Sequence, residues 1–160
     1  MNKNYYPELD ETLYTCRLEN GLAVAVVPRK GFTKKLAYFV TDFGSIHTDF
    51  TLDGVKYSTP AGVAHYLEHK MFENEDGSDS FLDFDNFGGN ANAFTSFSNT
   101  CYYFSCADNF YENLEVLLKA VSSLHCTKKS VAKENKIIAR YMRRAKDEVV
   151  FVSGQAIQWK

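Results

Sequence analysis

Short alternating apolar runs dominate the first part of the chain, and helical spacing takes over later. Residues 12–16 and 22–27 read as two strands around Glu19-Asn20-Gly21, where Asn-Gly supplies the positive φ of a tight hairpin. Pro28 closes the second of them. Residues 35–41 form a third β-rich run, and Asp53-Gly54 marks a further turn, so the opening reads as an antiparallel sheet. Ser58-Thr59-Pro60 is a helix-start signal, which predicts a helix over residues 61–72. Residues 80–86 predict a short helix stopped by Gly88-Gly89. Residues 92–98 and 100–105 read as a strand pair. A helix over 109–124 follows, with Leu114, Leu117, Leu118 and Val121 on one face. A last helix is predicted over 130–145, with Val131, Ile137, Ile138 and Met142 as core positions. Strands, helix, strands and helices in this order define an α+β chain without internal repeats.

Composition narrows the setting. With 160 residues, 45% apolar and 24% charged, the chain is expected to be a single domain with one core of ordinary size. A net charge of −2 and a pI near 6.1 provide no broad basic surface, so neither nucleic acid nor an anionic membrane is expected as partner. No apolar run approaches the roughly 20 residues of a membrane span. The start, residues 1–7, has no apolar signal-peptide core, so a cytoplasmic location is expected. Cys16, Cys101, Cys106 and Cys126 are widely spaced and include no CxxC pair, so neither a zinc ribbon nor a dense disulfide framework is indicated and small buried or half-buried thiols are expected.

The candidate chemistry lies in His65-Tyr66-Leu67-Glu68-His69. On a helix, positions i and i+4 share a face, so both imidazoles can aim a nitrogen at one ion. Glu68, one residue before the second histidine, can reach a metal-bound water as a general base without itself ligating. Random placement of 4 histidines and 10 glutamates over 160 residues gives roughly 0.006 copies of this pattern, so the spacing carries information. His47 and His125 stand alone and read as ordinary structural histidines.

The segment from Gly62 to Glu73, Gly-Val-Ala-His-Tyr-Leu-Glu-His-Lys-Met-Phe-Glu, resembles the signature of the pitrilysin/insulinase family of zinc peptidases, the inverzincins. Leu18-Glu19-Asn20-Gly21-Leu22 resembles that family's opening hairpin. Gly89-Asn90-Ala91-Asn92-Ala93-Phe94-Thr95-Ser96 resembles its glycine and Asn-Ala-Phe-Thr segment, and the bacterial processing-peptidase-like branch is nearest. The resemblance implies an antiparallel bent sheet backed by helices, a metalloenzyme domain of the LuxS and processing-peptidase type. It further implies Zn2+ as cofactor, His65 and His69 as ligands, Glu68 as catalytic base, and Asn92 and Ala93 as contacts to a peptide substrate that adds to an edge strand. An exposed strand edge fits any extended peptide, which is an independent reason for that last assignment. A plain core strand over 91–98 is the competing reading, and Phe94 and Phe97 suit either.

The family's third zinc ligand is a later glutamate, and its position falls on Tyr141 within Glu134-Asn135-Lys136-Ile137-Ile138-Ala139-Arg140-Tyr141. A phenol with a pKa near 10 substitutes poorly for a carboxylate at neutral pH. Glu148, Glu134 or a defective site are the three alternatives. Because the likeness to the family stops abruptly after Ala139, a truncated N-terminal peptidase domain over 1–160 with an atypical tail from about 140 is expected, from a shortened or frameshifted reading frame. Family members work as two related halves, so a homologous subunit or a second half is the expected partner. The functional expectation is a zinc metalloendopeptidase with impaired activity, the alternative being an inactive peptidase-like subunit that binds peptide or pairs with an active partner.

Overall fold

The computed structural model describes residues 1–125. It divides into two compact units, Met1–Thr33 and a second that begins at Lys34. The predicted helix over 130–145 and the tail from about 140 lie outside the described residues.

The first unit is an antiparallel sheet of β1 (Asn2–Tyr6), β2 (Glu11–Arg17) and β3 (Ala23–Val26), in that order. The expected hairpin closes as the Asn-Gly pair suggests. Gly21 sits at φ +88°, its N–H donates to the Leu18 carbonyl at 2.9 Å, and the Asn20 side chain accepts from the Leu22 N–H. Strand β1 was not expected. All five of its residues are exposed, so no apolar alternation announces it, and it is held by its backbone ladder from Asn2↔Thr15 to Tyr6↔Glu11.

The second unit runs β4 (Lys35–Thr41), β5 (Asp49–Leu52), β6 (Val55–Ser58), α1 (Val63–Lys70), α2 (Ser80–Asn86), β7 (Asn90–Thr95), β8 (Thr100–Cys106) and α3 (Phe110–Ser122). Strands β4, β8 and β7 form an antiparallel sheet in that order, and β5 pairs with β6 around Asp53-Gly54, both at positive φ. The single opening sheet read from the sequence is therefore corrected: β4 pairs not with β3 but with β8. Cross-strand packing explains the choice, because Ala37 stands opposite Phe104 and Phe39 opposite Tyr102, and all four turn toward one core.

That core lies between the sheet and its helices. Phe72, Phe84, Tyr102, Phe104, Cys106 and Leu117 form its buried centre, with Ala37, Phe39, Ala91 and Ala93 joining from the sheet. Phe104 is fully buried, with the rings of Phe84 and Phe110 at 5.8 and 5.5 Å. Alternation leaves Leu36, Tyr38, Val40 and Phe94 exposed on the other face of the sheet. The class is α+β, as the sequence indicated.

Helix boundaries differ from expectation in one informative place. Ser58 belongs to β6, opposite Asp49, and the Thr59 N–H donates to the Thr48 carbonyl at 2.7 Å, so Ser-Thr-Pro does not cap α1. Gly62 at φ +93° begins it instead, a conformation that costs glycine little. Helix α2 agrees with the expected span, capped by Asp79, whose carboxylate accepts from the Phe81 N–H at 2.9 Å.

Truncating the core centre should be costly. Phe104→Ala is expected to lower stability by about 3–5 kcal/mol, whereas Leu36→Ala, on the exposed face, should stay within about 0.5 kcal/mol. Urea unfolding of both variants checks this.

Candidate metal centre

Helix α1 packs against β7 and β8, with Ala64 buried on its inner side and His65, Glu68 and His69 half-buried. The two histidines are one turn apart, and their Nε2 atoms approach to 3.2 Å. Their ring centroids are 4.8 Å apart with the planes inclined by 70°. A tetrahedral zinc ion with Zn–N bonds of about 2.0–2.1 Å holds its nitrogens about 3.3–3.4 Å apart, so this pair has nearly the bite that such an ion requires. With one Nε2 protonated, the same approach is a hydrogen bond between the rings. Among the described residues, no group of three or more His, Cys, Asp or Glu side chains comes together as a metal-binding cluster. Glu134, Tyr141 and Glu148, over which the third ligand was weighed, lie outside the described residues.

Glu68 reaches toward the sheet. Thr95 Oγ1, at the end of β7, donates to Glu68 Oε2 at 2.8 Å. Behind it, Thr100 Oγ1 donates to the Phe43 carbonyl at 2.8 Å and lies 3.4 Å from Thr95 Oγ1. Below the same carboxylate, the Tyr102 phenol is pushed well above its ordinary 10.0, first by burial and then by the negative charge of Glu68. Thr95 was quoted in the sequence motif without a role. The available signal was the alternation along β7, which puts Ala91, Ala93 and Thr95 on the inward face and Asn90, Asn92 and Phe94 outward.

Asn92 and Ala93 thus fall on β7, which has β8 as its one neighbour among the described residues. The phase of the ladder is set at the turn, where the Ser96 N–H donates to the Asn99 carbonyl at 2.8 Å. Counting back along the register, Phe94↔Cys101 and Asn92↔Tyr103 are the bonded pairs. Ala91, Ala93 and Thr95 therefore turn their N–H and C=O groups away from β8. The Ala93 N–H is met there by the Asn92 side chain, whose Oδ1 accepts it at 2.8 Å. His47 serves its own loop, its Nδ1 accepting from the Gly44 N–H at 2.9 Å and its ring stacked on Phe43. His125 lines a pocket with Glu73, Asp83 and Lys119.

Immediately after His69, Lys70 is fully buried and paired with Glu73. A buried ammonium is tolerated when a carboxylate compensates it, and its place in the last turn also suits the helix dipole.

The paired histidines of α1 thus stand beside the edge of β7, and comparison with known proteins gives the family. Residues 54–156 match the profile of Insulinase (Peptidase family M16), and the chain belongs to this family. The matched span runs past Ala139, so the expected loss of family likeness from that point is corrected. The chain is 47% identical over 137 residues to the uncharacterized zinc protease YmfH of Bacillus subtilis, covering 84% of this chain and 32% of that protein. It superposes on the crystal structure of an M16-like peptidase from Alicyclobacillus acidocaldarius with a TM-score of 0.83 at 38% identity, covering 88% of this chain and 33% of the other. The beta subunit of the mitochondrial-processing peptidase of Saccharomyces cerevisiae is 28% identical over 153 residues, 91% of this chain and 31% of its own. The chain thus spans about a third of the length of the relatives it matches. Among the described residues, no helix is long and apolar enough to cross a membrane.

The raised Tyr102 pKa sets a pH dependence. Above its ordinary 10.0 the unfolded chain loses the phenol proton while the folded chain keeps it, so folding stability falls as pH rises through that value. Urea unfolding between pH 9 and 11 should show a steeper decline for the parent chain than for Tyr102→Phe.

Proposed function

We propose that the chain carries the catalytic half-site of a zinc-dependent metalloendopeptidase that cleaves extended peptides. The observation that carries this reading is the 3.2 Å convergence of His65 and His69, with Glu68 on the adjoining part of the same helix face. His65 and His69 would hold the zinc ion, which when bound would supply Lewis acidity and a lowered pKa of water. Glu68 then takes the proton of the attacking water and returns it to the departing amine nitrogen. The peptide lies along β7, where Ala91, Ala93 and Thr95 offer outward backbone groups for an added strand, and Asn92 and Ala93 are its contacts. Main-chain pairing of this kind selects for extended conformation more than for sequence.

The similarity to a protein named as a subunit, together with the one-third coverage of relatives, supports a homologous subunit or a further half as the partner that closes the cleft. We place this activity in the cytoplasm, without nucleic acid or membrane as partner. A second reading is favoured by Tyr141, which stands where the family resemblance expects the third ligand: a peptidase-like subunit that binds peptide or an active partner without cleaving.

Zinc content and cleavage separate the two. The 160-residue chain, dialysed against zinc, is expected to retain one ion per chain and to cleave an unstructured peptide at an impaired but measurable rate. His65→Ala or His69→Ala should abolish retention, and Glu68→Gln should keep the zinc while lowering kcat about 100-fold or more. A zinc-free, inert parent chain refutes the peptidase reading and leaves the binding subunit.

A further inference from the structure

We propose that Thr95 is a positioning residue for Glu68, fixing which of the two carboxylate oxygens is available to the reacting water. A threonine hydroxyl has one proton to give. The Thr100 hydroxyl donates its own to the Phe43 carbonyl at 2.8 Å, so it has none for Thr95, whose oxygen lies 3.4 Å away. Glu68 Oε2, at 2.8 Å, is much the nearer acceptor for the Thr95 proton, which is directed there. Oε2 is engaged as an acceptor and Oε1 is left for the water.

The anchor of this contact is rigid. Thr95 closes β7 opposite Thr100, beside a turn in which Ser96 Oγ donates to Asn99 and accepts from the Asn99 N–H. Thr100 is itself buried, and the Thr41 hydroxyl donates to its carbonyl. A glutamate on a helix surface otherwise samples several side-chain rotamers, which a general base must give up before it can act. The hydroxyl of Thr95 removes that freedom before substrate arrives. It also ties α1 to the strand on which the peptide is proposed to lie, so base and substrate share one frame.

The proposal rests on the reading of Glu68 as the base, and its test therefore has one arm without catalysis. In the metal-free chain, urea unfolding of Thr95→Val, Glu68→Ala and the double variant forms a cycle. The expected result is that Thr95→Val shifts the midpoint in the parent but not in the Glu68→Ala background; equal shifts in both overturn the contact. In the second arm, Thr95→Val is expected to lower kcat about tenfold, a fraction of what a general base contributes, with KM and bound zinc unchanged, and Thr95→Ser to restore it. A loss confined to KM, or no rescue by serine, overturns the positioning role while Glu68→Gln still reports on the base. A parent chain that neither binds zinc nor cleaves removes the base itself and overturns both.

Discussion

The seating of α1 on the β8–β7 ladder is the interaction on which the site depends. Ala64, Leu67 and Met71 share the walls of a small apolar pocket with Phe39, Thr100, Tyr102 and Val121, and Phe72 continues the contact into the core. With this face turned inward, the helical period leaves His65, Glu68 and His69 half-buried along one border of the helix. A rotation of α1 by one residue would carry about 100° of the helix surface away from the sheet. The histidines would still face each other, because their spacing is local, but Glu68 would leave Thr95.

Both ends of the helix are held against such a rotation. At the start, Gly62 turns the chain out of the β5–β6 hairpin at a positive φ. At the end, Lys70 is buried against Glu73, and Glu73 bridges to Asp79, the residue that caps α2. Removing Glu73 would leave the Lys70 ammonium uncompensated where it is fully buried. The same connection brings the Ser80 N–H to the Phe72 carbonyl at 2.8 Å, so α1 and α2 are joined by backbone pairing.

The strand edge shows how a reactive surface is kept in order. An unpaired edge invites pairing with any extended chain. On β7 the Asn92 side chain covers the Ala93 N–H, so part of that edge is hydrogen-bonded within its own strand. A peptide added to this edge, as proposed, would exchange one hydrogen bond for another at this position, with a small net gain.

The sequence by itself determined what is local. The Asn-Gly hairpin, the Asp-Gly turn, the span of α2 and the i, i+4 histidine pair follow from backbone preferences and helical period, which need no knowledge of distant residues. The family followed from the same short motifs. It did not determine partners far apart in the chain. Exposed β1 has no apolar pattern to betray it, β4 chose β8 over β3 through core packing, and Ser58-Thr59 joined a ladder rather than a cap. Thr95 became part of the site for the same reason: 27 residues separate it from Glu68, and only the register of β7 on β8, set at the Ser96 turn, brings its hydroxyl to the carboxylate.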